Sequence, residues 1–256
     1  MTARTAPALV AVAHGSPDPR ARQSVEALLH RLRRLRPGLR VELGHLATEQ
    51  PSLADTLRRL PVPSVLVPLL FTRGHHVKYD IPAAVAAGNR PVTVAGCLAP
   101  HPLLVDALYG RLVEAGYLGR GAVVLAAAGS RDPESAAGTQ HTADLLSRRL
   151  RGAPVLPAYA SAASPTVAEA VELLRERGHR QIAVASCFAA PGLFATRCAE
   201  AAPGVAAAPL GNHLSFARLL LHRYDQAVAS GGHTAPGEPE TVRAGVHHPA
   251  GLAAVP

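Results

Sequence analysis

The chain has 256 residues, 48% of them hydrophobic and 17% charged, a balance that suits one or two folded domains and excludes an intrinsically disordered chain. Its formal charge of +8 is carried almost wholly by arginine, because Lys78 is the only lysine. Lys78 lies between Val77 and Tyr79, so there is no Gly-Lys-Ser/Thr phosphate loop, and a Schiff-base or kinase-type lysine has no other place to be. Cys97, Cys187 and Cys198 show no Cys-x-x-Cys spacing. They argue against a disulfide framework, a zinc ribbon or an iron–sulfur site, and fit a reducing cytoplasm. The apolar run around Pro7 is at the bottom of the range for a signal peptide and is interrupted by that proline, which argues against one, and no run approaches the ~20 apolar residues of a membrane span. A soluble, cytoplasmic protein without a membrane partner is expected.

In chain order, Leu9 to Ala13 is apolar without alternation, as in a strand buried on both faces of a parallel sheet. His14-Gly15-Ser16 breaks it. Asp18-Pro19 then supplies an N-cap and a proline at the first helical position, and Val25, Leu28, Leu29, Leu32 and Leu35 follow at helical spacing until Pro37-Gly38. The alternation predicts a strand near 40–46, a helix over 52–60, a strand over 64–70, a helix after Pro82, a strand over 92–97 and a helix over 102–113. Such alternation with short connections implies a parallel sheet covered by helices.

The pattern then repeats. Leu9 to Pro19 reappears as Val123 to Pro133, with Gly15-Ser16 and Asp18-Pro19 matched by Gly129-Ser130 and Asp132-Pro133, an offset of 114 residues. At the same offset Pro51-Ser52-Leu53 corresponds to Pro165-Thr166-Val167. More loosely, Val65–Phe71 aligns with Ile182–Phe188, and the histidine of Leu98–Leu103, His101, with His213 of Leu210–Ser215. The fold class expected is therefore α/β, with two homologous flavodoxin-like halves, each a parallel four-stranded sheet flanked by helices. The first half spans 8–116 and the degenerate second half 117–229, joined through the glycine-rich 115–121. Residues 1–7 and the Gly-, Pro- and His-rich 230–256 read as disordered ends.

The repeat is asymmetric where chemistry is concerned. His14 is replaced by Ala128, and the histidines of Gly74-His75-His76-Val77-Lys78 have no counterpart around Pro191-Gly192-Leu193-Phe194. A duplicated unit that keeps one active site and turns the other into scaffold has this form. Both histidine segments follow apolar strands, at the carboxyl ends where open α/β sheets bind ligands. Two neutral imidazoles there suit a borderline divalent ion such as Fe2+, Co2+ or Ni2+, and an imidazole near its working pKa also accepts protons. His101 and His213 survive in both halves, which points to a shared structural task such as capping the following helix. Nucleic-acid binding is not expected, since aromatics are 4% of the chain, tryptophan is absent and no helix-turn-helix or RRM signature occurs. The sequence also lacks a Gly-x-Ser-x-Gly elbow, a His-Glu-x-x-His motif and a Gly-x-Gly-x-x-Gly loop.

His14-Gly-Ser-Pro-Asp-Pro19, the strand Val67-Pro-Leu-Leu-Phe71 and Gly74-His-His-Val-Lys-Tyr-Asp-Ile-Pro82 together resemble the class II tetrapyrrole chelatases, specifically the sirohydrochlorin chelatases of the CbiX and SirB type. The resemblance covers about residues 8–228. It implies a lyase of siroheme or cobalamin biosynthesis that inserts Fe2+ or Co2+ into sirohydrochlorin without ATP or any nucleotide. It also implies that His14 and His76 carry catalysis and meet the metal. Where many members of that family have a glutamate this chain has Ala47, so His45 and Glu49, which flank it, are the candidates for a third ligand. The substrate is fringed with carboxylates, which a basic cleft would attract and arginine would grip in a bidentate fork. Gly15, Ser16, Arg73, Gly74, His75 and Lys78 are the expected substrate contacts. A non-catalytic tetrapyrrole or metal carrier on the same fold is the alternative, and either a monomer or a homodimer is compatible with the sequence.

Overall fold

A computed structural model describes residues 6–47, 49–72, 74, 76–86 and 90–230. Strand β1 (Ala8–Ala13) is buried along its whole length, as its unbroken apolar run requires. Parallel neighbours β2 (Val41–His45) and β3 (Ser64–Pro68) pair with its two edges, and β4 (Val92–Val94) pairs with β3, giving the order β2-β1-β3-β4. The second sheet repeats the arrangement with β5 (Ala122–Ala127) between β6 (Val155–Tyr159) and β7 (Ile182–Ser186).

A four-stranded second sheet was expected, and here the structure corrects the sequence: it has three strands. The fourth position holds one parallel bridge, in which Val184 N donates to Val205 O and Ala207 N donates to Val184 O, both at 2.8 Å. The segment available runs only from Val205 to Ala208 between Gly204 and Pro209, and three of its residues are alanine. It is too short and too poor in branched side chains to extend the ladder.

The helix starts follow the sequence closely. Asp18 caps α1 (Pro19–Leu35) by accepting from Arg20 N at 2.9 Å, and Asp132 caps α5 (Pro133–Arg149) by accepting from Glu134 N at 3.0 Å. Ser52 caps α2 (Leu53–Arg59), and Thr166 forms a reciprocal capping box with Glu169 at the start of α6 (Val167–Glu176). The prolines before Ser52 and Thr166 both follow cis peptide bonds. The helix expected after Pro82 starts earlier: Gly74 O accepts from Val77 N and Lys78 N, and a π-helical stretch His76–Asp80 leads into α3 (Ile81–Ala86).

The last helix of each half packs on the sheet of the other. Helix α4 (Pro102–Glu114) lies against β7 and α5, whereas α8 (Leu214–Ala229), which follows α7 (Leu193–Glu200), lies against β3, β4 and α1. The two exchanged helices also pack on each other. One apolar core therefore runs through both halves, from Leu9, Val67 and Leu108 to Leu125, Leu220 and Phe216, with Phe71 stacked on Phe216 at 6.1 Å between ring centroids. The C-terminal helix is further tied to the first half by Arg36 on Asp225 at 2.8 Å and by Tyr224 Oη donating to Pro7 O at 2.7 Å. No helix among the described residues is long and apolar enough to cross a membrane. Cys187 and Cys198 are buried free thiols, and burial pushes Cys187 up to about 12 and Cys198 up to about 11, so both stay protonated.

His101 and His213 have the capping task the repeat suggested. His101 Nδ1 accepts from Leu103 N at 3.1 Å to start α4, and His213 Nδ1 accepts from Ser215 N at 3.2 Å to start α8. Burial lowers the pKa of His101 to about 4, helped by the Arg223 guanidinium and the His222 ring on α8, whose centroid is 4.8 Å away. The unfolded imidazole titrates near its ordinary value, so between that value and about 4 the unfolded chain binds the proton and the folded one does not. Stability from this site is complete above the ordinary value and is lost as pH falls toward 4. With allowance for solvent around a half-buried ring, the loss is about 1–2 kcal/mol. Asparagine preserves the cap without titrating. Urea midpoints at pH 7 and pH 4.5 are expected to fall less in His101→Asn than in the native chain; an equal fall would remove His101 from the acid sensitivity.

The segment from Gly231 onward, with His233, His247 and His248, and the first five residues lie outside the described residues, as do the expectations of disorder placed on them.

Candidate active site

Strands β1 and β3 are neighbours in the sheet, with Val12 opposite Pro68, and their connections leave toward opposite edges. The crevice beyond their carboxyl ends is the switch point where doubly wound sheets take their ligands. His14 is the first residue after β1, and His76 opens the π-helical stretch after β3. The structure brings the two rings together, with centroids 4.6 Å apart and planes at 49°. The two segments are 62 positions apart in sequence and meet only because β3 returns beside β1.

Gly15 follows His14 at φ +100°, a backbone sign that side chains disfavour. A Cβ there would meet only ordinary contacts, the nearest being Glu49 Oε2 at 3.6 Å, so backbone conformation and not space calls for glycine. Ser16 Oγ accepts from Asp18 N at 3.2 Å and turns the chain into α1. Ser16 N donates to Glu49 Oε2 at 3.2 Å, so the histidine loop is fastened to the segment after β2.

The environments of the two imidazoles differ. Although His14 is exposed as a residue, the burial of its ring lowers its pKa below the ordinary histidine value. The neighbouring His76 lowers it further and the Asp80 carboxylate partly offsets both. The neutral form, with a lone pair for a cation or a proton, is thereby favoured. His76 is held by Asp80, whose Oδ2 lies 2.5 Å from His76 Nδ1. A carboxylate only accepts, so Nδ1 donates and Nε2 is the nitrogen that carries the lone pair. This carboxylate–histidine relation is the arrangement that orients metal-binding imidazoles. Asp80 was part of the quoted motif but had no role assigned from sequence; its spacing of four from His76 was the available signal.

The candidate third ligands are nearby but otherwise engaged. His45 is 6% exposed, with Nδ1 at 3.2 Å from Pro51 O and Nε2 at 3.3 Å from Glu49 Oε2, and that same carboxylate oxygen receives Ser16 N. Among the described residues no three side chains of His, Cys, Asp or Glu gather into a metal-binding group. Ala47 lies beside the loop, its N donating to His14 O at 2.9 Å.

Of the expected substrate contacts, Ser16 and Gly74 lie at the junction between the halves, because Cβ atoms built on Gly74 and Gly192 would lie 3.4 Å from Ser130 Oγ and 3.3 Å from Ser16 Oγ, whereas Gly15 faces Ala47 and Glu49 of its own half. Arg73 and His75 lie outside the described residues. The Lys78 ammonium is in ion-pair contact with Asp132 of the second half, and Glu134 Oε1 is 3.9 Å from it. Arg20 forks onto its own helix cap, Asp18, and Arg22 pairs with Glu26.

No curated protein matches the chain. Solved structures do. SirB from Bacillus subtilis with Fe3+ is 22% identical with a TM-score of 0.72, over 88% of this chain and 97% of that one. The sirohydrochlorin chelatase SirB from Bacillus subtilis subspecies spizizenii in complex with cobalt is 20% identical with a TM-score of 0.68, over 88% and 96%. CbiX, described as the terminal enzyme for biosynthesis of siroheme in denitrifying bacteria, is 22% identical with a TM-score of 0.67, over 86% and 99%. At such identities the likeness is one of fold. The family model described as CbiX matches twice, over residues 8–115 and again over 122–227. With both halves matched, the chain belongs to the CbiX family.

Proposed function

We propose that this chain is a sirohydrochlorin chelatase, which inserts Fe2+ or Co2+ into a carboxylate-rich tetrapyrrole in the cytoplasm without a nucleotide. The observation that carries the reading is the pair of facing imidazoles at the switch point of the first sheet, in a chain of the CbiX family. Two of the structural relatives named above are described with Fe3+ and with cobalt, the same two elements proposed as substrate here in their divalent state. In the reaction the divalent ion enters the ring, two pyrrole N–H bonds break and two protons leave, so no electrons are transferred. A neutral His14 and the Nε2 of His76 supply two lone pairs for the approaching ion, and as it is handed to the ring nitrogens the freed imidazoles accept the pyrrole protons. Metal approach itself acidifies those N–H groups, which lets a weak base suffice. The division at residues 116 and 117 makes the first half the chemical one and the second its support.

The experiment is anaerobic absorbance spectroscopy of the purified chain with sirohydrochlorin and Fe2+ or Co2+. Metallation continuing well past one ring per chain, faster than without protein, is the result expected. The carrier reading has one observation in its favour, Ala47 in the place where many members of the family have a glutamate. It requires a spectral shift that saturates at one tetrapyrrole per chain with no turnover, and that result would replace the enzyme reading.

A further inference from the structure

Each half sets the serine of its first loop against a glycine of the other, Ser16 on Gly192 and Ser130 on Gly74. Each crossing touches a loop that bears a candidate catalytic histidine, Ser16 that of His14 and, in the second crossing, Gly74 that of His76. Around the second the contacts multiply. Thr72 Oγ1 and Ser135 Oγ share a hydrogen bond of 2.7 Å, and a Cβ on Gly138 of α5 would lie 3.1 Å from Thr72 Cγ2. Six residues later Lys78 reaches the Asp132 carboxylate, with Glu134 behind it. Residues 72 and 78 are therefore both fixed to the tip of α5, and His76 lies in the interval. Asp132 uses its two oxygens separately: Oδ1 caps α5 through Glu134 N, and Oδ2 meets Lys78.

We propose that the Asp132–Lys78 pair is a latch by which the second half sets the position of the His76 ring against His14. Asp132 and Lys78 are then positioning residues, and Lys78 is not a grip for substrate carboxylates. The pair is partly shielded, with Lys78 34% and Asp132 15% exposed, and pairs of this kind contribute little to global stability. Geometry is more sensitive, since displacement of a reacting group by about 1 Å can cost about a hundredfold in rate. The latch gives the Gly129-Ser130-Arg131-Asp132-Pro133 frame a task of its own in a half whose imidazole has become Ala128.

The kinetic part of the test rests on the chelatase reading, so a second measurement is independent of activity. Lys78→Met and Asp132→Asn are made singly and together; asparagine keeps the helix cap while removing the charge. Amide hydrogen exchange in peptides covering 72–80 is expected to speed up at least about fivefold in Lys78→Met, less in Asp132→Asn because Glu134 remains, and no further in the double variant. Exchange in 8–14 should be unchanged. In metallation assays kcat is expected to fall about tenfold in Lys78→Met with KM within about twofold of native. Native exchange rates at 72–80 in both single variants would overturn the latch. So would a raised KM in Lys78→Met with Asp132→Asn kinetically silent, because that is the behaviour of a carboxylate contact. If the native chain does not metallate, the chelatase reading fails and the exchange measurement still decides the latch.

Discussion

Alanine in place of His14 or His76 is expected to lower the initial rate of sirohydrochlorin metallation by about a hundredfold or more in each case. The size follows from position. Each ring lies in the connection that follows its strand, the two centroids are 4.6 Å apart, and neither belongs to the buried core, so the loss falls on chemistry and leaves folding intact. Because the two lone pairs act on one ion, the double variant should be little worse than either single one. Far-ultraviolet circular dichroism checks that the variants are folded, and anaerobic absorbance at matched metal concentration reads the rate. A variant that metallates within twofold of native would take that ring out of the reaction. Asp80→Asn keeps an acceptor for Nδ1 and should fall between native and alanine variants.

The largest expected effect on stability lies in the other half. Gly15 and Gly129 occupy the same place in the repeat and both have positive φ, +100° and +88°. Their surroundings differ. A Cβ on Gly15 meets nothing closer than 3.6 Å, but one on Gly129 would sit 1.8 Å from the carbonyl oxygen of Ser161. Ser161 cannot easily withdraw, because its N and its Oγ both donate to Ala128 O at 3.0 Å. Gly15→Ala should therefore cost about 1 kcal/mol, the conformational strain alone, whereas Gly129→Ala should cost about 3 kcal/mol or more. In a chain of this length that separates the melting temperatures by about 4–8 °C. Equal melting temperatures would show that the second loop yields, and that the close approach to Ser161 is not binding on the backbone.

The alternation of strands and helices could be read from the sequence because each signal was local: unbroken apolar runs for the strands, Asp-Pro and Ser or Thr caps for the helices. The segments of His14 and His76 stood out for a related reason, since the duplicate has Ala128 in the first place and no histidine in the second, and the resemblance to the chelatases chose His76 over His75. What escaped was set by contacts distant in sequence. Nothing near Lys78 announces that its partner is Asp132, which had been visible only as a helix cap. His45 reads as a spare ligand until the fold sets Pro51 O and Glu49 against its two nitrogens. The fourth strand of the second sheet failed because a repeat in sequence does not guarantee a repeat in ladder length when Gly204 and Pro209 bound the segment.

The exchange of α4 and α8 between the halves has a consequence during synthesis. The inner face of the first sheet is covered by α8, whose last residue is Ala229, so residues such as Val67 and Leu104 lack their full apolar cover until nearly the whole described chain has emerged. The contacts that complete the histidine-bearing half are among the most distant in the sequence, with Pro7 and Tyr224 separated by 217 positions. Contacts of that span form late, since a long loop must close before they reward the chain. The histidine-bearing half is thus made first and finished last, and a ribosome halted anywhere before α8 would hold an apolar sheet face open to the surrounding water.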